Sequence, residues 1–315
     1  MKALVWHGDT DLRLEDVPAP APASDEVSLN VELAGICGSD LHGYRGHPGP
    51  RVPPLVLGHE AVGTVEGVRY AIYPLIGCGN CAHCAAGREN LCASWQLVGM
   101  HRPGVFAEQI SVPRTALVPI DDLDAERAVL TEPLACAVAA LRPHELGPGS
   151  LVVVLGCGPI GLLAIALAAD QGAEVLATDP LPERRAVAER LGASSIVDPA
   201  ARLGEADLVV DAAGFADTWR TALELVRSGG DIVVLGLGTA EGPFAMNLLV
   251  RRAIRMRGQF AYSRDEFEEA LRLLEEGELL GDMDWLTTDA LADGAQAFER
   301  LVSAPERYLK VLLKP

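Results

Sequence analysis

Four cysteines stand close together at Cys78, Cys81, Cys84 and Cys92, in the spacing C-x2-C-x2-C-x7-C. Thiolates so spaced can wrap one Zn2+ tetrahedrally, and Gly79 and Gly87 supply the tight turns that wrapping needs. An iron–sulfur cluster is the competing occupant, but the bacterial ferredoxin run has a shorter last gap followed by Pro. Four reduced cysteines holding nothing are the plain alternative. Four protein sulfurs leave no open position, so a zinc here would be structural.

A second set is dispersed: Cys37, Ser39, Asp40 and His42 in one short stretch, then Gly58-His59-Glu60. A lone Cys or a lone His is most often a packing residue. Here each lies beside glycine in an expected turn, with acids nearby, which is a poor setting for core packing. A soft thiolate with a neutral imidazole suits Zn2+. A third set is Gly156-x-Gly158-x-x-Gly161, directly after the apolar run Leu151 to Leu155 and opening a helix. In that context the glycines permit the turn and let a pyrophosphate approach the helix N-terminus. Asp179 follows at the end of the next strand. A carboxylate there accepts hydrogen bonds from ribose hydroxyls and repels a 2′-phosphate, favouring NAD over NADP, unless it is only a surface turn acid. Arg184 and Arg185 lie close enough to accommodate that phosphate.

The elements that must position these groups fall into two textures. Residues 1 to about 120 are rich in Pro and Gly, with short alternating stretches such as Glu26 to Leu33, and read as a β domain with many turns. From about 122 the pattern changes. Asp122 to Arg142 has helical spacing broken at Pro133. Strands at Leu151 to Leu155, Glu174 to Thr178, Ser195 to Val197, Asp207 to Val210 and Asp231 to Leu235 alternate with helices at Ile160 to Asp170, Pro182 to Leu191 and Thr218 to Arg227. That alternation implies βαβ units and a parallel sheet with helices on both faces. Asp265 to Glu276 and Ala290 to Val302 read as further helices and Tyr308 to Leu313 as a last strand.

With 315 residues the chain has room for about two domains. Its 49% apolar and 22% charged residues are those of an ordinary globular chain and exclude disorder over most of the length. The longest apolar run, Ile160 to Ala169, is about half of what a membrane helix needs, and no leader is read at the N-terminus, so a cytoplasmic protein is expected, with no membrane partner. Seven cysteines in such a chain are not read as a disulfide framework. A formal charge of −18 repels phosphate backbones, so no nucleic-acid partner is expected.

Taken in order, Gly-Ile-Cys37-Gly-Ser39-Asp40-x-His42, Gly58-His59-Glu60, the four-Cys window, Glu132-Pro133-Leu134 and the glycine fingerprint resemble the zinc-dependent medium-chain alcohol/polyol dehydrogenases over essentially the whole chain. The resemblance implies an α/β protein: a GroES-like β domain at 1–121, completed by about 281–315, and a Rossmann NAD-binding domain, a doubly wound parallel sheet, at 122–280. It implies two zincs per chain and NAD. Cys37 and His59 would ligate the catalytic zinc. The third protein ligand is Cys in the classical alcohol dehydrogenases, but the matching stretch here has the polyol pattern, which makes Glu132 the candidate and Cys136 the weaker alternative. One thiolate, one carboxylate and a neutral His leave the Zn2+ site neutral. Glu60 would lie beside the metal, bound exchangeably or held just outside the ligand shell, and Asp40 would fix the tautomer of the ligand His.

Similarity to sorbitol dehydrogenase places Gly156, Gly158, Ile160, Gly161, Asp179 and Arg184 at the cofactor, Leu235 to Leu237 and Gln259 to Ala261 near its nicotinamide half, and Tyr262 at the substrate. The implied reaction is reversible oxidation of a secondary alcohol or polyol/sugar-type substrate, with the proton leaving through Ser39, the cofactor ribose and His42. A homodimer or homotetramer is expected. Several features depart from the family. The segment between His59 and Cys78 is shortened, and Gly43 and Ala261 stand where sorbitol dehydrogenase has Tyr and Arg, which disfavours sorbitol itself. Two competing readings are a zinc-binding, NAD-sensing interaction module without catalysis, which leaves Cys37 and His59 unexplained, and a zinc-free quinone reductase relative, against which the cysteines and His59 argue.

Overall fold

Alternation along Glu26–Gly35 turns Val27, Leu29, Val31 and Leu33 into the core, as a strand with one buried face requires. In the computed structural model, which describes residues 1–47, 49–196, 203–277 and 279–315, this strand organises a β-rich unit. It pairs antiparallel with Glu60–Val65, Gln109–Pro113 and the C-terminal strand Lys310–Lys314. Gly35 faces Glu60 on one side and Leu312 on the other. Segments from three distant parts of the chain therefore meet where the strand runs out toward Cys37. Leu286–Ala290 pairs parallel with Lys310–Lys314 and extends the same sheet.

A second unit holds a six-stranded parallel sheet. Its spatial order is Ser195–Ile196, Glu174–Thr178, Leu151–Leu155, Ala206–Asp211, Val226–Val234, Arg255–Gly258. Numbered along the chain that order is 3-2-1-4-5-6, the doubly wound arrangement that binds dinucleotides at the strand C-termini. Val197, expected to close the first of these strands, lies outside the described residues. The helix Pro159–Asp170 is buried from Gly161 to Ala168, which accounts for its nearly all-apolar sequence.

Several boundaries differ from the sequence expectation. The two units are Met1–Glu132 with Ser263–Gly277 and Asp284–Pro315, and Pro133–Tyr262 with the short segment before Asp284. The division thus falls after Glu132 rather than at 121, and the helix Arg264–Glu276 belongs to the β-rich unit. Arg264 donates to the Thr115 carbonyl, Phe267 sits edge-on to Tyr73 at 5.4 Å, and Glu275 accepts the Asp121 N–H at 3.2 Å. The helical stretch after 122 breaks before Pro133, into Ala125–Ala128 and Thr131–Leu141. Pro133 sits in the first turn of the second helix, where a missing N–H costs nothing. The helix expected at Thr218 to Arg227 ends at Leu225, because Val226 enters the sheet opposite Ala206. Ala290 likewise belongs to a strand, and its helix starts at Gly294. Among the described residues no helix is long and apolar enough to cross a membrane.

Candidate metal centres and dinucleotide site

Cys37 caps the short helix Gly38–Tyr44, and its N–H donates to Asp40 Oδ2 at 3.1 Å. Cys37, His59 and Glu60 bring one ligand atom each within 4.8 Å of one another, with His59 and Glu60 buried. The Nδ1 atom of His59 faces Asp40 Oδ1 at 3.6 Å. Burial alone would hold the His59 imidazole down, but the charges of Asp40, Cys37 and Glu132 raise it to about 10. A thiolate, an imidazole and carboxylates gathered at one point form a donor set that fits a divalent zinc once the imidazole is neutral. Glu132 is buried at the start of its helix, outside that trio, and its charge reaches both His59 and Lys310. Cys136 is half-buried in the same helix and likewise outside the trio.

Two residues not singled out in the sequence complete this centre. Lys310 is buried against Glu60, each side chain 1% exposed; it pairs with Glu60 Oε2 and donates to the Ile36 carbonyl at 2.9 Å. Burial opposes the ammonium charge, but Glu60 and then Cys37 outweigh it and raise Lys310 above the usual lysine range. Arg51 is also buried, 3.6 Å from Asp40 Oδ1. Asp40 and Glu60, the acids on either side of the metal ligands, therefore each face a buried base. Ser39 is half-buried and His42 exposed. Partial burial of its ring first, then the charges of His47, Arg45 and Arg51, shift the His42 imidazole below its ordinary value.

In the four-Cys lobe, the sulfurs of Cys81 and Cys84 are 3.5 Å apart and those of Cys78 and Cys84 3.9 Å apart. All four sulfurs lie within 4.8 Å of one another. Sulfurs bound tetrahedrally to one zinc stand about 3.8 Å apart, so the cage has the right size. Gly79 and Gly87 take φ values of +74° and +65°, which a side chain would oppose. The Asn80 and Cys81 backbone hold the Cys78 thiol down at about 6, while burial and the neighbouring sulfurs push Cys84 up to about 12. Thiols this close cannot all ionise without a cation among them. Cys84→Ser is therefore expected to release one zinc per chain, leave the other in place and lower the melting temperature, because a hydroxyl is a poor substitute for a thiolate. Metal analysis beside a thermal melt reads this; two retained zincs with an unchanged melt would remove the lobe from the account.

The glycine turn is tied to the sheet by Gly156 N–H, which donates to the Thr178 carbonyl at 2.8 Å. A Cβ on Gly161 would run into the Gly156 carbonyl, so the helix can approach the turn only because residue 161 is glycine. Asp179 is buried and accepts the Cys157 N–H and the Leu181 N–H, both at 2.9 Å. Each carboxylate oxygen keeps a second lone pair for a ribose hydroxyl. Arg185 donates to the Asp179 carbonyl at 2.6 Å, and Arg184 approaches Gly158. Asp211, which sequence reasoning missed, is fully buried at the end of its strand and accepts from Ala213 and Gly214 N–H and from Thr218. Its carbonyl also accepts the Leu235 and Gly236 N–H groups, which fixes the loop bearing Leu235 to Leu237. Leu237 is 78% exposed there. The Gln259 side-chain amide donates to the Ala261 carbonyl at 2.9 Å and so braces the turn between these two residues. Tyr262, expected at the substrate, is fully buried.

Comparison with known proteins matches residues 23–122 to the alcohol dehydrogenase GroES-like domain and residues 159–276 to the zinc-binding dehydrogenase family. L-galactonate-5-dehydrogenase of Escherichia coli (strain K12) is 32% identical, covering 98% of each chain. Sorbitol dehydrogenase of Bacillus subtilis (strain 168) is 32% identical over 100% of this chain and 97% of its own. Among solved structures, a putative zinc-binding dehydrogenase from Sinorhizobium meliloti 1021 bound to NADP superposes with a TM-score of 0.90 at 31% identity, covering 100% of this chain and 99% of that one.

Proposed function

Because the chain belongs to the zinc-dependent medium-chain alcohol/polyol dehydrogenases, we propose that it interconverts a secondary alcohol and a ketone on a polyol- or sugar-type carbon chain, with NAD as the preferred dinucleotide. The observation that carries this reading is the convergence of Cys37, His59 and Glu60 around one point, with Asp40 and Glu60 each matched by a buried base. Cys37, His59 and Glu132 are the proposed protein ligands of the catalytic zinc. Glu60, paired with Lys310, stays outside that set. When bound, zinc supplies a Lewis acid for the substrate oxygen and the nicotinamide accepts the hydride.

The chain's own residues manage charge and the proton. The Asp40 carboxylate, 3.6 Å from His59 Nδ1, would favour a proton on that nitrogen and leave the other for the metal. Ser39 would take the proton from the substrate hydroxyl as it gives up its own, and His42, at the exposed end of the same short helix, would pass a proton to solvent. An NAD-sensing module without catalysis has no use for these groups. The named relatives act on L-galactonate and sorbitol, which are polyhydroxylated chains. Gly43 and Ala261 point away from sorbitol itself. A second copy of the chain is the proposed partner: Arg255–Gly258 forms an outer edge of its sheet, and the helix Met246–Arg251 beside it in sequence exposes Met246, Leu248 and Val250.

A panel of alcohols, polyols and sugar acids with NAD+ and with NADP+ tests the reading, followed by absorbance of the reduced cofactor. NAD+ is expected to be the better oxidant. Asp179→Asn is expected to raise KM for NAD+ roughly tenfold or more, the equivalent of a charged hydrogen bond of about 1.5–3 kcal/mol, and to narrow the preference over NADP+. A wild type that prefers NADP+ would shift the assignment to Arg184 and Arg185.

A further inference from the structure

Arg51 has no task in the reaction as described, yet its side chain is only 3% exposed. A guanidinium is costly to bury unless something engages it. Its Nη2 donates to Ser39 Oγ at 3.4 Å and lies 3.6 Å from Asp40 Oδ1. That same carboxylate oxygen is 3.6 Å from Nδ1 of His59. The arginine stem packs close against Gly43, where a Cβ would stand 3.2 Å from Arg51 Cδ and 3.5 Å from its Nε.

We propose that Arg51 is a positioning residue that sets the direction of proton transfer at Ser39, a role that rests on the dehydrogenase reading above. A serine hydroxyl has one donor and two acceptor sites. Arg51 occupies one acceptor site, which leaves one lone pair to take the substrate proton and one O–H to pass a proton on. The count balances: Ser39 gains one proton as it loses one, and the guanidinium neither gives nor takes any. Through Asp40 the same group offsets a carboxylate that would otherwise add uncompensated charge behind His59, as Lys310 does for Glu60. Gly43 and Arg51 act together, with the glycine providing the space that the arginine stem fills.

The test is a double-mutant cycle of Arg51→Lys with Ser39→Ala, read as kcat and KM for alcohol oxidation alongside zinc content and melting temperature. Arg51→Lys keeps the charge and loses the geometry of the fork. It is expected to lower kcat about tenfold with KM within about twofold, and to cost no more than about twofold on the Ser39→Ala background. Both zincs are expected to remain, and the melt to shift by only a few degrees. An unchanged kcat in an active enzyme overturns the proposal alone. So does an equal loss in both backgrounds, or a loss that follows zinc release. A wild type that oxidises no alcohol overturns the dehydrogenase reading, and this role with it.

Discussion

Glu132→Ala is expected to abolish alcohol oxidation and to weaken retention of the catalytic zinc, while Cys136→Ala keeps most of the activity. Glu132 is buried at the mouth of the helix Thr131–Leu141, and its charge reaches His59 and Lys310. Cys136 lies deeper in that helix, between the buried residues Ala135 and Ala137, where a thiol is ordinarily a packing group. Glu60 is the other acid within reach, but its carboxylate is committed to Lys310. Removing Glu132 leaves one thiolate and one imidazole to hold the dication, and such a site binds zinc poorly. Loss of activity is expected to exceed a hundredfold, the order associated with losing a catalytic metal interaction of about 3 kcal/mol or more. Zinc analysis of both variants decides the matter. The reverse ranking would return the site to a Cys–His–Cys set.

Lys310→Met is expected to be the most destabilising single change near this centre. It leaves Glu60 buried with its charge unanswered, and breaking such a pair from one side costs about 3–5 kcal/mol. Because the pair raises the folded pKa of Lys310 above its unfolded value, its contribution is fully present below the unfolded value and is lost only as pH rises through the folded one. No neutral or mildly alkaline buffer should therefore mimic the mutation. Adding Glu60→Gln to Lys310→Met should recover much of the lost stability, since a neutral amide no longer needs the cation. A denaturant melt of the single and double variants reads this. If the double variant is no more stable than the single, the cost lies in packing around the lysine stem and not in the orphaned carboxylate.

Both bases missed in the sequence are hidden there by folding, in two different ways. Lys310 lies in an apolar run that reads as a strand, and the acid it answers is 250 residues away. Only the antiparallel register of Gly35 with Glu60 and with Leu312 brings them together, and no local spacing encodes that pairing. A usable signal was the rarity of lysine, of which the chain has three, with one placed where an apolar residue was due. Arg51 lies close to Asp40 in sequence, but a Pro- and Gly-rich turn hides the direction of its side chain. What could be read was local in its physics. Cysteine spacing defines a metal cage without knowledge of the fold. A glycine turn between an apolar strand and an apolar helix carries its own context. The βαβ alternation was visible because each strand and helix states its own period. Helix ends were less legible, since Val226 and Ala290 are drawn into strands by partners elsewhere along the chain.

The central claim is that alcohol oxidation depends on a zinc held by Cys37, His59 and Glu132 and is separate from the zinc of the four-Cys lobe. The most direct measurement follows NAD+ reduction on the alcohol panel while a chelator strips metal, with zinc per chain and far-UV circular dichroism recorded at each step. The account predicts two zincs per chain at the start, activity lost in step with one of them and independent of the other, and activity restored when Zn2+ is returned. Full activity after both zincs have gone, or a protein that carries only the four-Cys zinc and still oxidises alcohols, would contradict it.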